Sequence, residues 1–231
     1  MISPRYLAGT YIVKNSAINY GEEDNFEASE TDISITLYKN FVSRYPDEID
    51  HFKPILDAID YLPSNMELVE KIVCLEGKND YYTMKLIESG LFKDDKTIGF
   101  YPGASVGKYD QLFRLYLAWN KSFIAIFDSD SAGLRAKKKY INEISAELEN
   151  NVFTLSDIDS DWKNYTTEDL FEADDKLKII RTLFSDVDGY EKSKFNTAIQ
   201  QLYINCDRLD YSEKTKNNFL KIFRFIKEKL S

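Results

Sequence analysis

Two stretches of sequence decide the fold: Lys71-Ile-Val-Cys-Leu-Glu-Gly-Lys-Asn-Asp80 and Phe123-Ile-Ala-Ile-Phe-Asp-Ser-Asp-Ser-Ala-Gly133. Each opens with a short and largely apolar run, as expected for a strand that is buried on both faces of a parallel sheet. Each run is followed by acidic residues and a glycine, which allows the chain to turn tightly where the strand ends. The pair therefore predicts two strands of one sheet, each leading into a loop that carries carboxylates.

Helices and strands alternate around these two stretches. Hydrophobic periodicity and turn residues predict three helices, at 81–90 with Gly90 just beyond the last turn, at 109–119, and from 132 towards 149. The same signals predict further strands at 97–101 and 152–155. Such alternation favours parallel βαβ units. The predicted fold class is α/β, with a mostly parallel four-stranded sheet flanked by helices and a helical C-terminal extension.

The regions on either side of this core differ from it. Residues 6–14 predict a strand, the acidic stretch 19–32 a loop, and residues 36–44 and 47–61 helices. The chain is therefore divided into an N-terminal segment at 1–68, a catalytic α/β domain at 69–188 and an extension at 189–231. This extension contains nine Lys and Arg against five Asp and Glu, so it is locally basic.

Composition excludes several classes of protein. The chain has 231 residues and a formal net charge of -9, which argues against binding nucleic acid through overall charge alone. The chain has a single histidine, His51, so a zinc site built from several histidines is excluded and a Ser-His-Asp triad would have to use this residue. The two cysteines, Cys74 and Cys206, predict no disulfide framework and a reducing, cytoplasmic compartment. The apolar runs are too short to cross a bilayer, so no membrane partner is expected.

Carboxylates at the predicted strand ends point to a metal site. Asp128 and Asp130 leave an extended chain on the same face, and Glu76 ends a neighbouring strand. Close carboxylates repel one another by about 4 kcal/mol per pair at an effective dielectric constant near 20. A hard divalent cation removes this repulsion and prefers oxygen ligands, which favours Mg²⁺ or Mn²⁺. Either motif alone is better explained as ordinary acidic turn residues. The two in order, each after an apolar strand, favour the metal site.

The two motifs resemble those of a Toprim domain. Residues 76–80 read Glu-Gly-x-x-Asp, and residues 128–133 read Asp-x-Asp-x-Ala-Gly, about fifty residues later. The resemblance covers residues 69–155 and implies the Rossmann-like fold shared by bacterial primases, type IA and type II topoisomerases and several nucleases. A topoisomerase or a primase is less favoured, since the chain has no room for strand-passage domains and shows no primase-type zinc-binding region.

Three further segments resemble the Toprim nucleases named for overcoming lysogenisation defects, the OLD family. They are Pro102-Gly-Ala-Ser105, Thr167-Glu-Asp-Leu-Phe171 and Glu191-Lys-Ser-Lys-Phe195. The resemblance implies a nuclease that uses two Mg²⁺ or Mn²⁺ ions to hydrolyse DNA or RNA. It implies that Glu76 and Asp80 hold one ion, with Glu76 also serving as general base, and that Asp128 and Asp130 hold the other. Glu168 and Asp169 would complete the metal shell.

The resemblance also assigns positive charges to the phosphate. Lys192 is expected to neutralise charge on the phosphate during catalysis, although the motif leaves Lys192 and Lys194 both open for this part. Independently of the resemblance, a run of cations opens the helix that follows Asp130. Such a run is usually a solvated face, but beside a metal site the nucleic-acid contacts are expected at Arg135, Lys137, Lys138 and Lys194. The partners that follow are a DNA or RNA substrate and an ABC-type ATPase domain or subunit, in a setting such as phage defence; a homo-oligomer is left open.

The chain itself departs from the family in lacking the ATPase motif. Gly103-Ala-Ser-Val-Gly-Lys-Tyr109 has three residues between its glycines where a P-loop has four, and a tyrosine where the Mg²⁺-binding Ser or Thr belongs. Residues 1–68 would then be the tail of an ATPase domain or a small helper. Two alternatives stay open: a catalytically silent module that docks on an ATPase and binds nucleic acid, and a haloacid-dehalogenase-type phosphatase with Asp128 as nucleophile.

Overall fold

The computed structural model describes residues 11–17, 31–44, 70–91, 98–103 and 109–231. The chain divides into two compact units, Met1–Tyr61 and Leu62–Ser231. Among the described residues, no helix has the length and apolar character needed to span a membrane.

The described residues of the first unit form an antiparallel pair of strands and one helix. Strand β1 (Tyr11–Ala17) pairs antiparallel with β2 (Thr31–Leu37), and helix α1 (Tyr38–Arg44) follows directly. The first strand agrees with the prediction from Tyr11 onward. The predicted helix at 36–44 starts too early, because residues 36 and 37 belong to β2. That strand was missed, although the alternation of Ile33, Ile35 and Leu37 is an ordinary strand signal.

The remaining N-terminal predictions fall on other parts of the chain. The helix expected at 47–61 and most of the acidic loop expected at 19–32 lie outside the described residues. Residues 31 and 32, at the end of that expected loop, form the start of β2 instead.

The second unit is built on a four-stranded parallel sheet. Its strands are β3 (Lys71–Leu75), β4 (Ile98–Pro102), β5 (Ser122–Phe127) and β6 (Val152–Thr154). They lie in the order β4-β3-β5-β6, and each neighbouring pair is parallel. The predicted α/β class with a parallel sheet flanked by helices is confirmed.

The helices of this unit follow the strands or close the C-terminal part of the fold. Within the described part of this unit they are α2 (Lys78–Leu91), α3 (Asp110–Ala118), α4 (Ser131–Glu143), α5 (Leu155–Ile158), α6 (Ala173–Arg181), α7 (Lys192–Asn205) and α8 (Glu213–Lys229). Short 3₁₀ helices occupy Ala146–Asn150 and Thr167–Leu170.

Two helix ends differ from the prediction. Gly90 is not the residue beyond α2, since the helix runs on to Leu91. The helix expected to continue towards residue 149 ends at Glu143, and a 3₁₀ helix replaces its last turns. Ser145 explains this break, because its hydroxyl accepts a hydrogen bond of 3.2 Å from the Glu147 amide and caps the new helix.

The sheet separates two hydrophobic cores. Alternate residues of β3 point to opposite sides, with Ile72 and Cys74 in one core and Val73 and Leu75 in the other. The first core contains residues of α3 and α4 and is rich in aromatic rings, which meet in stacked, tilted and edge-to-face pairs. The second core contains residues of α2 together with residues of α6, α7 and α8. The C-terminal helices therefore bury their apolar faces in the same core as the sheet.

Candidate active site

The carboxyl ends of β3 and β5 bring two acidic loops together. Leu75 lies opposite Ile126 in the parallel register of the two strands, so Glu76 and Asp128 emerge at the same edge of the sheet. A Glu76 carboxylate oxygen accepts a hydrogen bond of 3.0 Å from the Asp128 backbone amide. The two sequence motifs, 52 residues apart, are thus joined directly.

Asp80 joins this edge from the first turn of α2. Its carboxylate accepts a hydrogen bond of 2.8 Å from the Gly77 amide, which closes the turn between β3 and the helix. A carboxylate in the first turn of a helix is favoured by the helix dipole. The spacing Glu-Gly-x-x-Asp therefore has a local structural reason as well as a place at the site.

Thr167 holds Asp128 from the other side. Its backbone amide and its hydroxyl donate to the same carboxylate oxygen of Asp128, at 2.9 and 3.2 Å. Thr167 is buried in the short 3₁₀ helix at residues 167–170. It was missed as a site residue, although it stands directly before Glu168 in the motif that was used to find the acids. A hydroxyl donor beside an acidic motif is the signal that could have found it.

Glu168 and Lys192 form an ion pair at the same edge. The Lys192 ammonium lies 2.9 Å from a Glu168 carboxylate oxygen; the Glu168 side chain is 9% exposed, whereas the Lys192 side chain is 60% exposed. Lys194 turns instead to Glu191, at 3.1 Å. Of the two lysines that the motif left open, the structure brings Lys192 to the carboxylates.

We call Glu76, Asp80, Asp128 and Glu168 the acidic cluster, because their charges affect one another. Burial raises the pKa of Asp80 and of Asp128 well above the ordinary range, and the charges of Glu76 and Glu168 raise both further. Burial also raises the pKa of Glu76, and this is opposed by the amide of Asp128. Glu76, Asp80 and Asp128 therefore lack enough neighbouring positive charge to ionise as easily as ordinary carboxylates.

The carboxylates of the acidic cluster change the pKa of Lys192. Burial works against its ammonium, yet the hydrogen bond and the charge of Glu168 raise the pKa of Lys192 above its ordinary value. The same lysine lowers the pKa of Glu76 through its charge. It remains protonated at neutral pH and is exposed enough to meet a ligand.

Two predicted metal ligands have other contacts in the structure. Asp130 caps α4, because one of its oxygens accepts from the amides of Ala132 and Gly133 at 2.9 and 2.8 Å. Its charge still reaches the edge, since it raises the pKa of Glu76. Asp169 faces away: one oxygen accepts from Thr166, and the other lies 3.1 Å from the Lys176 ammonium.

Two glycines allow the loops to approach so closely. A Cβ atom on Gly133 would lie 2.1 Å from the backbone oxygen of Asp128, and one on Gly103 would lie 2.5 Å from the carbonyl oxygens of Leu75 and Glu76. Real Cβ atoms do not approach backbone oxygens so closely. Both glycines are therefore required by packing against the strand ends.

The predicted nucleic-acid contacts have different environments. Arg135 and Lys138 are exposed on α4. Lys137 is paired with Asp157 at 2.7 Å, and Lys194 is paired with Glu191. The exposed pair is free of these ion pairs and keeps its charge towards solvent.

The acidic cluster supplies the donor atoms that a hard divalent cation prefers, namely carboxylate oxygens in a buried, negatively charged place. No three of the His, Cys, Asp and Glu side chains that the structure describes are arranged to hold a metal ion. The oxygen donors of the acidic cluster thus fit Mg²⁺ or Mn²⁺ by their chemistry, but not by their arrangement. Their side chains would have to rotate before three of them could share one ion.

The fold and site define a protein with a parallel α/β sheet and an acidic cluster at its carboxyl edge. No protein-family model, no curated protein and no solved structure matches the chain.

Proposed function

We propose that this protein is a metal-dependent nuclease of the Toprim type, similar to the OLD family, that hydrolyses phosphodiester bonds of DNA or RNA. The observation that supports it best is the meeting of Glu76, Asp80, Asp128 and Glu168 at one sheet edge, with Lys192 beside them. Charges taken out of water are costly unless they are well paired. Among the described ion pairs, Lys192 is the cation of this edge, and the amide and hydroxyl donors around Asp80 and Asp128 do not prevent their pKa values from rising.

In this proposal, the acidic cluster would hold Mg²⁺ or Mn²⁺, in two ions, with Asp130 at its margin. When bound, such ions activate a water and stabilise the leaving oxygen of an in-line displacement. The charge of the ions would also offset the repulsion that raises the pKa of Asp80 and Asp128. Asp169 is engaged with Thr166 and Lys176 and is left out of this set.

The side chains of this protein then act in three ways. Glu76 accepts a proton from the attacking water, for which a carboxylate with a raised pKa is better suited than an ordinary one. Thr167 fixes the rotamer of Asp128 through its two hydrogen bonds. Lys192 leaves its ion pair with Glu168, binds the phosphate and neutralises the negative charge that develops there.

The charges of the chain bear on the two proposed partners, a nucleic acid and an ATPase. A protein with a net charge of -9 gains little from long-range attraction to nucleic acid. The exposed cations Arg135 and Lys138 would contact the phosphate backbone, and an ABC-type ATPase domain or subunit would supply further binding surface. Phage defence in the cytoplasm is the setting that the OLD resemblance suggests.

A cleavage assay tests the proposed function. Supercoiled plasmid and structured RNA are incubated with the protein and Mg²⁺ or Mn²⁺, with Asp128→Asn as the test variant and Asp174→Asn as the control. Asp174 is an exposed aspartate of α6, so its removal changes net charge equally. We expect cleavage by the native chain and the control, and a loss of at least about a hundredfold in Asp128→Asn. Equal cleavage by all three proteins would refute the proposal.

One observation favours a second candidate, the catalytically silent binding module. No ready-made set of three metal ligands exists in the described part of the chain. Thermal unfolding with increasing Mn²⁺ separates the two candidates, because an intact metal site stabilises the fold by about 2.7 kcal/mol at one hundred times the dissociation constant. A melting temperature that does not change as Mn²⁺ is added would favour the catalytically silent module.

A further inference from the structure

Tyr190 is an exposed tyrosine close to the N-terminus of α7. Its side chain is 44% exposed. Of the tyrosines that the structure describes, only Tyr190 and Tyr11 are exposed, and Tyr11 belongs to the first unit. Tyr190 stands two residues before Lys192, the cation that pairs with Glu168 of the acidic cluster. An exposed phenol is therefore available on the surface that also carries the phosphate-binding lysine.

Two contacts hold the ring of Tyr190 in place. The Lys176 ammonium of α6 lies 4.9 Å from the ring centroid, and the Phe195 ring of α7 lies 5.7 Å from it. A cation is attracted to the electron-rich face of an aromatic ring. Lys176 is held in turn by Asp169, because a carboxylate oxygen of Asp169 lies 3.1 Å from its ammonium. The ring is thus fixed from two helices while much of the side chain stays open to solvent.

The hydroxyl of Tyr190 lies close enough to the Glu168–Lys192 pair for both charges to act on it. Burial and the Glu168 carboxylate raise the pKa of Tyr190 to about 12, and Lys192 opposes this rise. Tyr190 in turn contributes to the raised pKa of Lys192. The phenol is therefore protonated at neutral pH and is a hydrogen-bond donor. Among the described residues, this hydroxyl has no hydrogen-bond partner.

A phosphate that reaches Lys192 would find this donor close by. The Lys192 side chain is 60% exposed, so a ligand reaches its ammonium from solvent. Phosphate oxygens of nucleic acids accept hydrogen bonds from lysine and tyrosine side chains alike. Lys192 supplies charge, whereas a phenol supplies direction, because its single O–H has to point at the oxygen that accepts it. The two side chains together would bind one phosphate in one orientation.

We propose that Tyr190 is a substrate contact, whose hydroxyl donates a hydrogen bond to the nucleic-acid phosphate that Lys192 binds. The identity of this substrate rests on the proposed nuclease function. Lys176 and Asp169 are positioning residues, because they act on the ring of Tyr190 and not on the phosphate. Neighbouring acids of one short helix then have different tasks: Glu168 belongs to the acidic cluster, and Asp169 holds the tyrosine in place through Lys176.

A binding assay tests the contact without cleavage. A fluorescein-labelled DNA hairpin and an RNA hairpin of the same sequence are titrated with the protein in Ca²⁺ instead of Mg²⁺, and electrophoresis verifies that the hairpins stay intact. We expect Tyr190→Phe to bind about tenfold more weakly than the native chain, because a hydrogen bond to a charged acceptor is lost. Tyr11→Phe removes the hydroxyl of the other exposed tyrosine and should bind as the native chain does. Equal binding by the native chain and Tyr190→Phe would overturn the contact, as would a loss that appears only in Tyr190→Ala.

The salt dependence of binding separates a neutral donor from a charge. Lys192→Ala should reduce the slope of log K against log salt concentration by about 1, because one cation has left the phosphate. Tyr190→Phe should weaken binding at every salt concentration and leave the slope unchanged, because the phenol carries no charge. A reduced slope in Tyr190→Phe would show that the variant acts by displacing Lys192, and the direct contact would be overturned. Melting temperatures verify that each variant is folded.

Double variants test the positioning residues. In an Asp169→Asn background Lys176 is no longer paired, so the ring loses its fixed place, and Tyr190→Phe should cost less than about threefold in affinity. Asp174→Asn is the control background, since Asp174 is an exposed aspartate of α6, and the full tenfold loss should remain there. An equal loss in both backgrounds would overturn the positioning role of Asp169.

The outcomes separate this contact from the proposed function. Weaker binding by Tyr190→Phe, together with cleavage in which this variant raises KM and leaves kcat nearly unchanged, supports both. The same weaker binding without cleavage by the native chain in Mg²⁺ or Mn²⁺ retains the phosphate contact and refutes the nuclease. Cleavage that depends on Asp128 but proceeds alike in Tyr190→Phe retains the nuclease and overturns the contact. Failure of the native chain to bind either hairpin also overturns the contact.

Discussion

Two groups of carboxylates in this chain have pKa shifts of opposite sign. In the acidic cluster, burial and neighbouring negative charge raise the pKa of Asp80 and Asp128. Asp157 and Asp169, which we call the capping carboxylates, are more exposed, with side chains 34% and 43% accessible. What burial they have acts to raise the pKa, but hydrogen bonds and lysines overcome it, and the pKa falls below the ordinary value. The protein is therefore able to neutralise acids within its fold. At the sheet edge, by contrast, Lys192 pairs with Glu168 alone, and the pKa values of Glu76, Asp80 and Asp128 stay raised.

The largest effect on stability is expected from Gly133→Ala. Its new Cβ atom would lie 2.1 Å from the backbone oxygen of Asp128, so the loop that carries Asp128 must move. We expect a loss of about 3 kcal/mol in the free energy of unfolding, as for overpacked positions. Denaturant titration measures it, with Gly90→Ala as the control, because a Cβ atom there meets nothing within 4 Å. A loss of equal size in both variants would contradict this account of the close approach.

The next largest effect is expected from Asp128→Asn, and it has the opposite sign. Because the pKa of Asp128 is raised, the folded state holds a proton that the unfolded chain releases. The stability that this protonated carboxyl supplies is fully present below about pH 4 and is lost as the pH rises through the folded-state pKa. At pH 8 the variant should be more stable than the native chain by about 1–3 kcal/mol, since a tenfold change in an ionisation constant corresponds to about 1.4 kcal/mol.

Thermal unfolding of the metal-free protein from about pH 5 to about pH 8 measures this difference. The melting temperature of the native chain should fall more steeply with pH than that of the variant. Parallel curves would show that Asp128 is ionised without cost in the folded state.

Among the capping carboxylates, Asp157→Asn should lower stability by about 1 kcal/mol. Asp157 accepts hydrogen bonds from the amide and hydroxyl of Thr154 at the start of α5, and it pairs with Lys137. Since its pKa is lowered, its contribution is present above its unfolded-state pKa and is lost as the pH falls through the folded-state value. Thermal unfolding from neutral pH to about pH 2 should show the variant and the native chain converging in acid. A gain in stability at neutral pH would remove the contrast with Asp128.

The smallest effect on stability is expected from Lys192→Ala, at about 0.5 kcal/mol, because the Lys192 side chain is 60% exposed and its ammonium stays in contact with water. Lys194→Ala is the matched control, since Lys194 lies two residues away and pairs only with Glu191 among the ion pairs described. With metal and nucleic acid present, cleavage should fall in Lys192→Ala and be retained in Lys194→Ala. If Lys194→Ala is the more defective enzyme, the assignment of the phosphate-binding lysine is reversed.

Local signals were sufficient to predict the sheet and its acidic edge. The apolar runs at 71–75 and 123–127 are strands because their residues fill the cores on both sides of the sheet. Glu76 and Asp128 meet because neighbouring parallel strands end at the same edge. Such placement follows from topology alone, so it could be predicted without any long-range contact.

Contacts between distant residues could not be predicted in the same way. Asp169 and Glu168 are neighbours in one motif, yet the 3₁₀ helix turns them to opposite sides, one to Lys176 and the other to Lys192. The contribution of Thr167 depends on a loop 39 residues away that offers Asp128 as its acceptor. Sequence spacing carries no information on the direction in which a short helix presents its side chains.

The residues of the site are synthesised in a fixed order, and the last of them lies on α7, which packs against α2. Glu76, Asp80 and Asp128 leave the ribosome well before Lys192, and the helix that carries Lys192 shares its core with the sheet through Phe195 and Ile199. A nascent chain that has completed the sheet still lacks this lysine and the helices that cover one of its faces. Synthesis from the N-terminus therefore makes the charge-neutralising side chain the last part of the site to arrive.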